Sequence, residues 1–348
     1  MEKSWPGNAF VESGMEDRFG HHISYLRVSI TDRCNERCQY CMPHEEQDWL
    51  PRSEVLSYEE ILRVLRVGAD LGVTKVRVTG GEPLTRRDVV WFLGQVAALP
   101  GIGDLGLSTN GTLLARPLPD GRITARALRE AGVRTVNISL DTLDRETYAK
   151  TTGRDLFPEV LVGIDAAREA GFEKIKLNTV LMRHRNEHEL WDLADFAREK
   201  DLLLRFIELM PVSTTEVLTE ENFLSAGEAK RMLEYRLGPL TPRPDIRTNG
   251  PATYYEAEGT GQVIGFIGAM TNLHFCESCN KLRLTCEGKL RPCLGSHLEF
   301  DIRDALRDPS LDDSEIARLI REVVARKPEK HDFRENYQPG RKMIAIGG

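Results

Sequence analysis

Long apolar runs are missing from this 348-residue chain, and with them the usual signal of a membrane-spanning helix. Nor do the first 20 residues, MEKSWPGNAFVESGMEDRFG, hold an apolar stretch of the length a secretory signal needs, so the expected location is the cytoplasm. An excess of basic charge is absent as well. The formal net charge of -7 argues against nucleic acid as the main partner, while leaving room for a local basic pocket that takes a phosphorylated small molecule. No internal repeat or low-complexity tract interrupts the chain. Hydrophobic residues at 41% and charged residues at 29% are ordinary for a globular protein and exclude wholesale disorder. The length suffices for one large α/β barrel with an appendage or for two ordinary domains.

Cysteine is absent from the whole middle of the chain. The seven cysteines fall into two groups, Cys34, Cys38 and Cys41 near the start and Cys276, Cys279, Cys286 and Cys293 near the end. Disulfides rarely persist in a reducing cytosol, so clustered thiols there point first to metal.

Between Tyr25 and about Glu208, short β-type runs alternate with helical patterns, the signature of βα units and a parallel sheet. The expected strands are YLRVSI (25–30), KVRVTG (75–80), DLGLST (104–109), TVNISL (135–140), KIKLNTVL (174–181) and LLLRFIEL (202–209). Periodicity alone does not separate a partial barrel from an open doubly wound sheet. After Met210 the pattern changes: AGEAKRMLEYRLG reads as a helix, TPRPDIRTNGP as a turn-rich linker, and TYYEAE, GQVIGFIG and NKLRLTC as strands, the last entering the turn EGK. The closing ENYQPGRKMIAIGG is expected to be extended. The expected organisation is an N-terminal extension (1–22), a βα barrel (23–210) and a C-terminal region (211–348).

Cys34-x3-Cys38-x2-Cys41 follows the first strand, at the end where βα folds place their active sites. Three thiolates on a four-iron cluster leave one iron open to a cofactor, whereas a structural zinc site closes all four positions. On spacing alone a zinc site or three unrelated buried thiols stays open as an alternative. The second strand runs into Thr79-Gly80-Gly81-Glu82-Pro83, where two glycines let a ligand approach the backbone and Glu82 offers a carboxylate. His21, His22 and the Glu59-Glu60 pair read as surface residues.

Cysteines spaced CxxxCxxC after strand one and GGEP after strand two together resemble the radical S-adenosylmethionine (SAM) superfamily. That resemblance implies a partial (βα)6 TIM-like barrel and a 4Fe-4S cluster on Cys34, Cys38 and Cys41 whose open iron binds and reduces SAM. Around SAM it implies the Tyr40 backbone, Gly81, Ser139 and Met210. FCESCNKLRLTCEGKLRPCLG, with LRVSITDRCNERCQYCMP, KVRVTGGEPLTRRD, NISLDTLD, KIKLNTVLMR, LRFIELMP and the terminal Gly347-Gly348, narrows the resemblance to the GTP 3′,8-cyclase family of molybdenum cofactor biosynthesis. It covers nearly the whole chain from about residue 20.

By that resemblance Cys276, Cys279 and Cys293 hold a second 4Fe-4S cluster facing substrate GTP, with Arg27, Arg77, Ser108, Lys176, Lys281, Leu282 and Arg283 at the nucleotide. Cations suit a triphosphate, and guanidinium groups suit bidentate phosphate contacts; their expected place is at strand C-termini. Lys281 stands where the family usually has arginine, and Cys286 is a cysteine the three-ligand pattern does not need. The implied reaction is conversion of GTP to (8S)-3′,8-cyclo-7,8-dihydroguanosine 5′-triphosphate. Implied partners are an electron donor of unknown identity, a downstream cyclic pyranopterin monophosphate synthase and a second copy in a homodimer, with no nucleic acid and no membrane. The Gly347-Gly348 tail either enters the barrel or frays. The rivals are a two-cluster radical SAM enzyme acting on a peptide or another small molecule, and a zinc-binding interaction protein.

Overall fold

The computed structural model describes residues 15–42, 49–213, 217–246, 250–335 and 337–347; most of the N-terminal extension and Gly348 lie outside the described residues. The first part of the chain contains β1 (Tyr25–Ser29), α1 (Tyr58–Asp70), β2 (Lys75–Thr79), α2 (Val89–Ala97), β3 (Asp104–Thr109), α3 (Thr124–Glu130), β4 (Thr135–Ser139), α4 (Arg145–Thr152), α5 (Phe157–Glu169), β5 (Lys174–Leu181), α6 (Leu190–Glu199) and β6 (Leu203–Glu208). The remainder adds α7 (Ala226–Leu237), β7 (Leu240–Pro242), β8 (Thr253–Ala257), β9 (Val263–Ile267), β10 (Lys281–Leu284), β11 (Lys289–Arg291), β12 (Phe300–Asp301), α8 (Arg303–Arg307), α9 (Asp313–Ala325) and α10 (Met343–Ile346).

One twelve-stranded sheet takes all of these strands, in the order β12-β11-β10-β1-β2-β3-β4-β5-β6-β9-β8-β7. The six expected strands are parallel neighbours, and two strands from the C-terminal region, β10 beside β1 and β9 beside β6, extend the parallel part. Antiparallel strands finish both edges. Pro242 is tolerated in β7 because that strand is an edge, where a missing N–H disrupts no ladder.

Alternation along the strands builds two different faces. Leu26, Val28, Val76, Val78, Leu105, Leu107, Val136, Ile138, Leu177, Leu204 and Phe206 enter the hydrophobic core that the helices cover. Side chains alternate between the faces of a strand, so the intervening residues point inward, where each of the eight parallel strands contributes to the wall of one cavity. The sheet is therefore wrapped round a polar lumen with its apolar layer outside.

Helix ends follow local chemistry. Ser57 and Glu60 form a capping box on α1, as do Ser225 and Glu228 on α7, each satisfying orphan N–H groups of a first turn. Glu60 also pairs with Arg307, so it anchors α8 rather than lying idle on a polar face. The amphipathic α9, capped by Asp312, packs Ile316, Leu319, Ile320, Val323 and Val324 into the core. Arg63 of α1 fixes it, bonding Asp313 at 2.6 Å and the carbonyl of Leu311 at 2.9 Å. The C-terminal tail differs from its expected extended form: residues 343–346 are the short helix α10, because burial of Ile344 and Ile346 on the barrel rewards a helical turn.

Candidate active site

The lumen is a cavity of about 360 Å³ lined by six of the seven cysteines. Cys34, Cys38 and Cys41 follow the C-terminal end of β1. The other group lies at the opposite edge: β10 runs parallel to β1 with Lys281 beside Tyr25, and Cys279 comes just before it. Cys293 follows β11, which returns antiparallel to β10. The five residues of β1 make four steps of about 3.3 Å, so roughly 13 Å of lumen separates the two edges. Among the described residues no three His, Cys, Asp or Glu side chains close round a single ion. A four-iron cluster asks for a wider set, with one thiolate on each iron it ties to the protein.

The first cysteine loop is held on every side. Cys41 N–H donates to the Cys38 carbonyl at 3.0 Å, Arg37 and Gln39 N–H groups donate to Thr152 and Thr151, and Ser213 Oγ donates to the Cys41 carbonyl at 2.9 Å. Tyr40 Oη donates to Asp141 at 2.8 Å, and both residues line the cavity. Against this loop lies the GGEP turn, with Gly81 N–H on the Thr31 carbonyl at 2.8 Å. A Cβ on Gly81 would stand 2.4 Å from the Arg33 carbonyl oxygen, so only glycine permits this approach. Burial and Glu82 push the Cys34 thiol far up; burial and Glu36 do the same to Cys38, and burial carries Cys41 up to about 12. Three half-buried thiols carried by one loop and lining the same cavity are a donor set that fits the ligands of an iron cluster.

Glu82 itself departs from its expected role. It is fully buried, and its carboxylate accepts from Leu84 N–H at 3.0 Å, Thr109 Oγ1 at 2.9 Å and Asn110 N–H at 2.7 Å. It ties the loop after β2 to the end of β3 instead of facing the cavity. Gly81, Ser139 and Met210 do face the cavity, and Met210 also packs on the small apolar cluster of Val212, Ala269, Phe333 and Tyr337.

Among the described residues, seven cations line the rest: Arg27, Lys75, Arg77, Lys176, Arg205, Lys281 and Arg283. They sit at mid-height or lower in the sheet, Arg283 level with Arg27 at the middle of β1, not at the C-termini expected from sequence, because the lumen runs the full height of the sheet. Mutual repulsion is written in their protonation. Burial, then Arg205, Arg77 and Lys75, lower Lys176 from 10.5 to about 6, with Asp104 opposing. Burial and then Arg27 lower Arg283 to about 9. Burial alone would raise Tyr25, yet Arg77, Arg27 and Lys75 outweigh it and bring the phenol to about 8.

Arg77 is already engaged by the protein. Its guanidinium donates to Tyr25 Oη at 2.9 Å, the Leu107 carbonyl at 2.9 Å and Thr135 Oγ1 at 2.8 Å, leaving two of its five N–H groups for a ligand. Gly106 beside it on β3 makes the space, since a Cβ there would lie 2.5 Å from the guanidinium. Ser108 faces the cavity. Leu282 does not: strand alternation puts its side chain in the core, so only its backbone can meet a ligand. Lys75 and Arg205 were not named from sequence, although each is two residues from a lumen-facing neighbour on its own strand, and that spacing was the available signal.

At the far edge Cys279 is the one described cysteine lowered from its ordinary value: burial opposes this, and the charges of Lys327 and Lys281 prevail. Cys286 is fully buried outside the cavity lining, beside Ser29, Asp32 and Glu287. The tail comes in over the first edge. Arg283 donates to the Gly347 carbonyl at 2.9 Å, and a Cβ on Gly347 would meet Ser29 and Thr79 at 2.9 Å. Arg341 holds this segment by ion pairs to Glu287 and Glu299.

A sheet wrapped round a lumen, with a CxxxCxxC loop after its first strand and GGEP after its second, defines a radical SAM protein. Residues 28–197 match the model of the Radical SAM superfamily and residues 202–333 that of Molybdenum Cofactor Synthesis C. The superfamily takes a 4Fe-4S cluster and SAM. The fold is also that of Streptococcus suis SuiB bound to its precursor peptide SuiA, with a TM-score of 0.58 at 18% identity over 89% of this chain and 74% of that one. GTP 3′,8-cyclase of Pelotomaculum thermopropionicum is 42% identical over 334 residues, 96% of this chain and 100% of that protein. GTP 3′,8-cyclase of Rhodopirellula baltica is 42% identical across 100% of this chain and 96% of its own length. The chain belongs to the GTP 3′,8-cyclase family.

Proposed function

We propose that this protein converts GTP to (8S)-3′,8-cyclo-7,8-dihydroguanosine 5′-triphosphate, the first step of molybdenum cofactor biosynthesis. The observation that carries this reading is the cationic lumen between two cysteine groups at opposite edges of the sheet. A triphosphate meets Arg27, Lys75, Arg77, Arg205, Lys281 and Arg283 there, with Lys176 ready to take up a proton beside it, and its nucleoside is held between the cofactor edge and the second cysteine group. Cys34, Cys38 and Cys41 would hold the first cluster, with Tyr40, Gly81, Ser139 and Met210 round SAM; Cys276, Cys279 and Cys293 would hold the second. Bound there, the first cluster and SAM would supply the one-electron radical chemistry needed to open a ribose C–H bond.

The chain's own part is placement. Arg27, Lys176, Lys281 and Arg283 bind the nucleotide, with Ser108 and the backbone of Leu282 beside it, while Arg77 chiefly stiffens the wall from which the others reach. Holding the 3′ carbon near carbon 8 of the guanine in a closed lumen converts bond formation into an intramolecular event and keeps out quenching solvent. The functional division is residues 23–210 for radical generation and one part of the nucleotide site, and 211–348 for the second cluster and the rest of that site. An external reductant, a homodimer and a downstream cyclic pyranopterin monophosphate synthase in the cytoplasm belong to the same reading. Anaerobic incubation with SAM, reductant and GTP tests it: the cyclised triphosphate is the expected product by mass spectrometry, and 5′-deoxyadenosine formed without change to GTP would overturn it.

Lys176 offers a sharper check. Its depressed value leaves it mostly neutral at pH 7.5 in the ligand-free protein, and a triphosphate beside it favours the charged form. GTP binding should therefore take up a proton at Lys176, and affinity should fall as pH rises above about 6. Lys176→Ala is expected to weaken GTP binding by about one to two decades, the loss of a charged hydrogen bond worth roughly 1.5–3 kcal/mol. SAM binding should stay close to wild type. Calorimetry in buffers of different ionisation enthalpy measures both effects, and equal proton uptake by wild type and variant would remove Lys176 from the nucleotide.

A further inference from the structure

Lys327 lies just beyond the C-terminal end of α9 and is 3% exposed. Its ammonium donates to the carbonyl of Lys281 at 3.1 Å and to that of Pro292 at 2.5 Å. Lys281 is two residues beyond Cys279 and Pro292 adjoins Cys293, so these two bonds set the ammonium beside the second cysteine group, where its charge acts on Cys279, Cys276 and Cys293. Both acceptors are backbone carbonyls and neither is a carboxylate. A buried positive charge is thus aimed at the second cysteine group and held there by backbone on both flanking segments.

We propose that Lys327 is a positioning residue of the second cluster, whose charge, fixed beside the cysteines by the Lys281 and Pro292 carbonyls, raises that cluster's reduction potential. This rests on the reading that Cys276, Cys279 and Cys293 hold a 4Fe-4S cluster. Reduction adds negative charge, so a nearby cation stabilises the reduced form; net charge and hydrogen bonds to sulfur are both recognised levers on such potentials. At the opposite edge the neighbour is different, a Glu36 carboxyl 3.8 Å from the Cys38 sulfur. The two cysteine groups thus meet an ammonium at one edge and a carboxyl group at the other.

A plain tie between the β10 and Pro292 segments is the competing role, and potentials separate the two. The full chain is reconstituted anaerobically as wild type, Lys327→Met and Lys327→Arg, each is assayed for iron, and each is titrated by potential with electron paramagnetic resonance as readout. At the ambient potential that half-reduces the wild-type second cluster, Lys327→Met should show a reduced-to-oxidised ratio about tenfold lower, which for one electron is about 59 mV. Lys327→Arg, which keeps the charge, should stay near wild type. An unchanged ratio in Lys327→Met overturns the proposal. A second measurement removes no charge: in protein grown with lysine labelled with 15N at the ε nitrogen alone, which leaves the Lys281 backbone N–H at Cys279 silent, the nitrogen coupling on the second cluster's signal should be weaker in Lys327→Arg than in wild type, and the same coupling in both overturns the proposal. Wild type with about four irons per chain instead of eight overturns the second-cluster reading itself, a distinct result.

Discussion

Cys38→Ala is expected to reduce 5′-deoxyadenosine formation from SAM to background. Cys38, Cys34 and Cys41 are the only described cysteines at the C-terminal edge of the lumen, beside Gly80 and Gly81. No described thiol can replace the one removed. Cys276, Cys279 and Cys293 sit at the other edge, roughly 13 Å of strand away, and Cys286 lies outside the cavity lining. The fold should survive, because the first loop is held by backbone bonds to Thr151 and Thr152 and by the Tyr40–Asp141 contact. Iron should fall to about four per chain if the second cluster is retained. The checks are chromatographic assay of 5′-deoxyadenosine and iron analysis of the same sample. Cleavage at the wild-type rate by a variant with no first cluster would sink the assignment.

The second large effect separates two cysteines seven residues apart. Cys293→Ala is expected to lose the second cluster and GTP cyclisation together, while Cys286→Ala keeps the cluster and most of the activity. β10 and β11 form a hairpin with Arg283 beside Arg291 and Leu284 beside Leu290, so Cys286 belongs to its turn and Cys293 to its open end. Cys286 is buried on the first-cluster side, and its carbonyl accepts from Leu56 N–H at 2.8 Å. Truncating it removes one small buried sulfur, a change of roughly 1 kcal/mol or a little more, felt as stability and not as cluster loss. Iron content, visible spectra and thermal unfolding of both variants test the contrast. Loss of the second cluster in Cys286→Ala would reverse the assignment and close the iron that the proposed substrate site needs.

Much of the fold was legible because β-type alternation and helical periodicity are local. Strand β5 coincides with the expected run 174–181, and the other five early strands agree to within a residue or so. The hairpin before Cys293 was legible from the turn residues EGK. Helices α4, α8 and α9 went unread, and β7 lay partly inside a stretch read as linker. For α9 the signal was present in Ile316, Leu319, Ile320 and Val323, a helical spacing behind an Asp312 cap. Glu82 was misread because a carboxylate in a glycine turn looks available until its three donors are placed. Lys327 carried no local signal: its meaning comes from Cys279, nearly fifty residues earlier in the chain.

The sequence by itself determined the two cysteine groups, the GGEP turn, the βα order and the alternation YLRVS, KVRVT, TVNIS and LLRFIE. Those patterns settled family and chemistry, since cluster ligands and backbone-approach glycines work through short-range spacing. The alternation also determined that each strand has one apolar and one polar face, but not which face meets solvent. In an ordinary half-exposed sheet the polar face would look outward. Only the tertiary structure decided that it looks inward, because β10 and β9 come from far along the chain to extend the parallel sheet round a lumen while the helices cover the apolar side. That closure brings together cations from seven separate positions, places the second cysteine group at the edge opposite the first, and aims Lys327 at it. Such neighbours are set by strand register and helix packing across hundreds of residues, which no local spacing encodes.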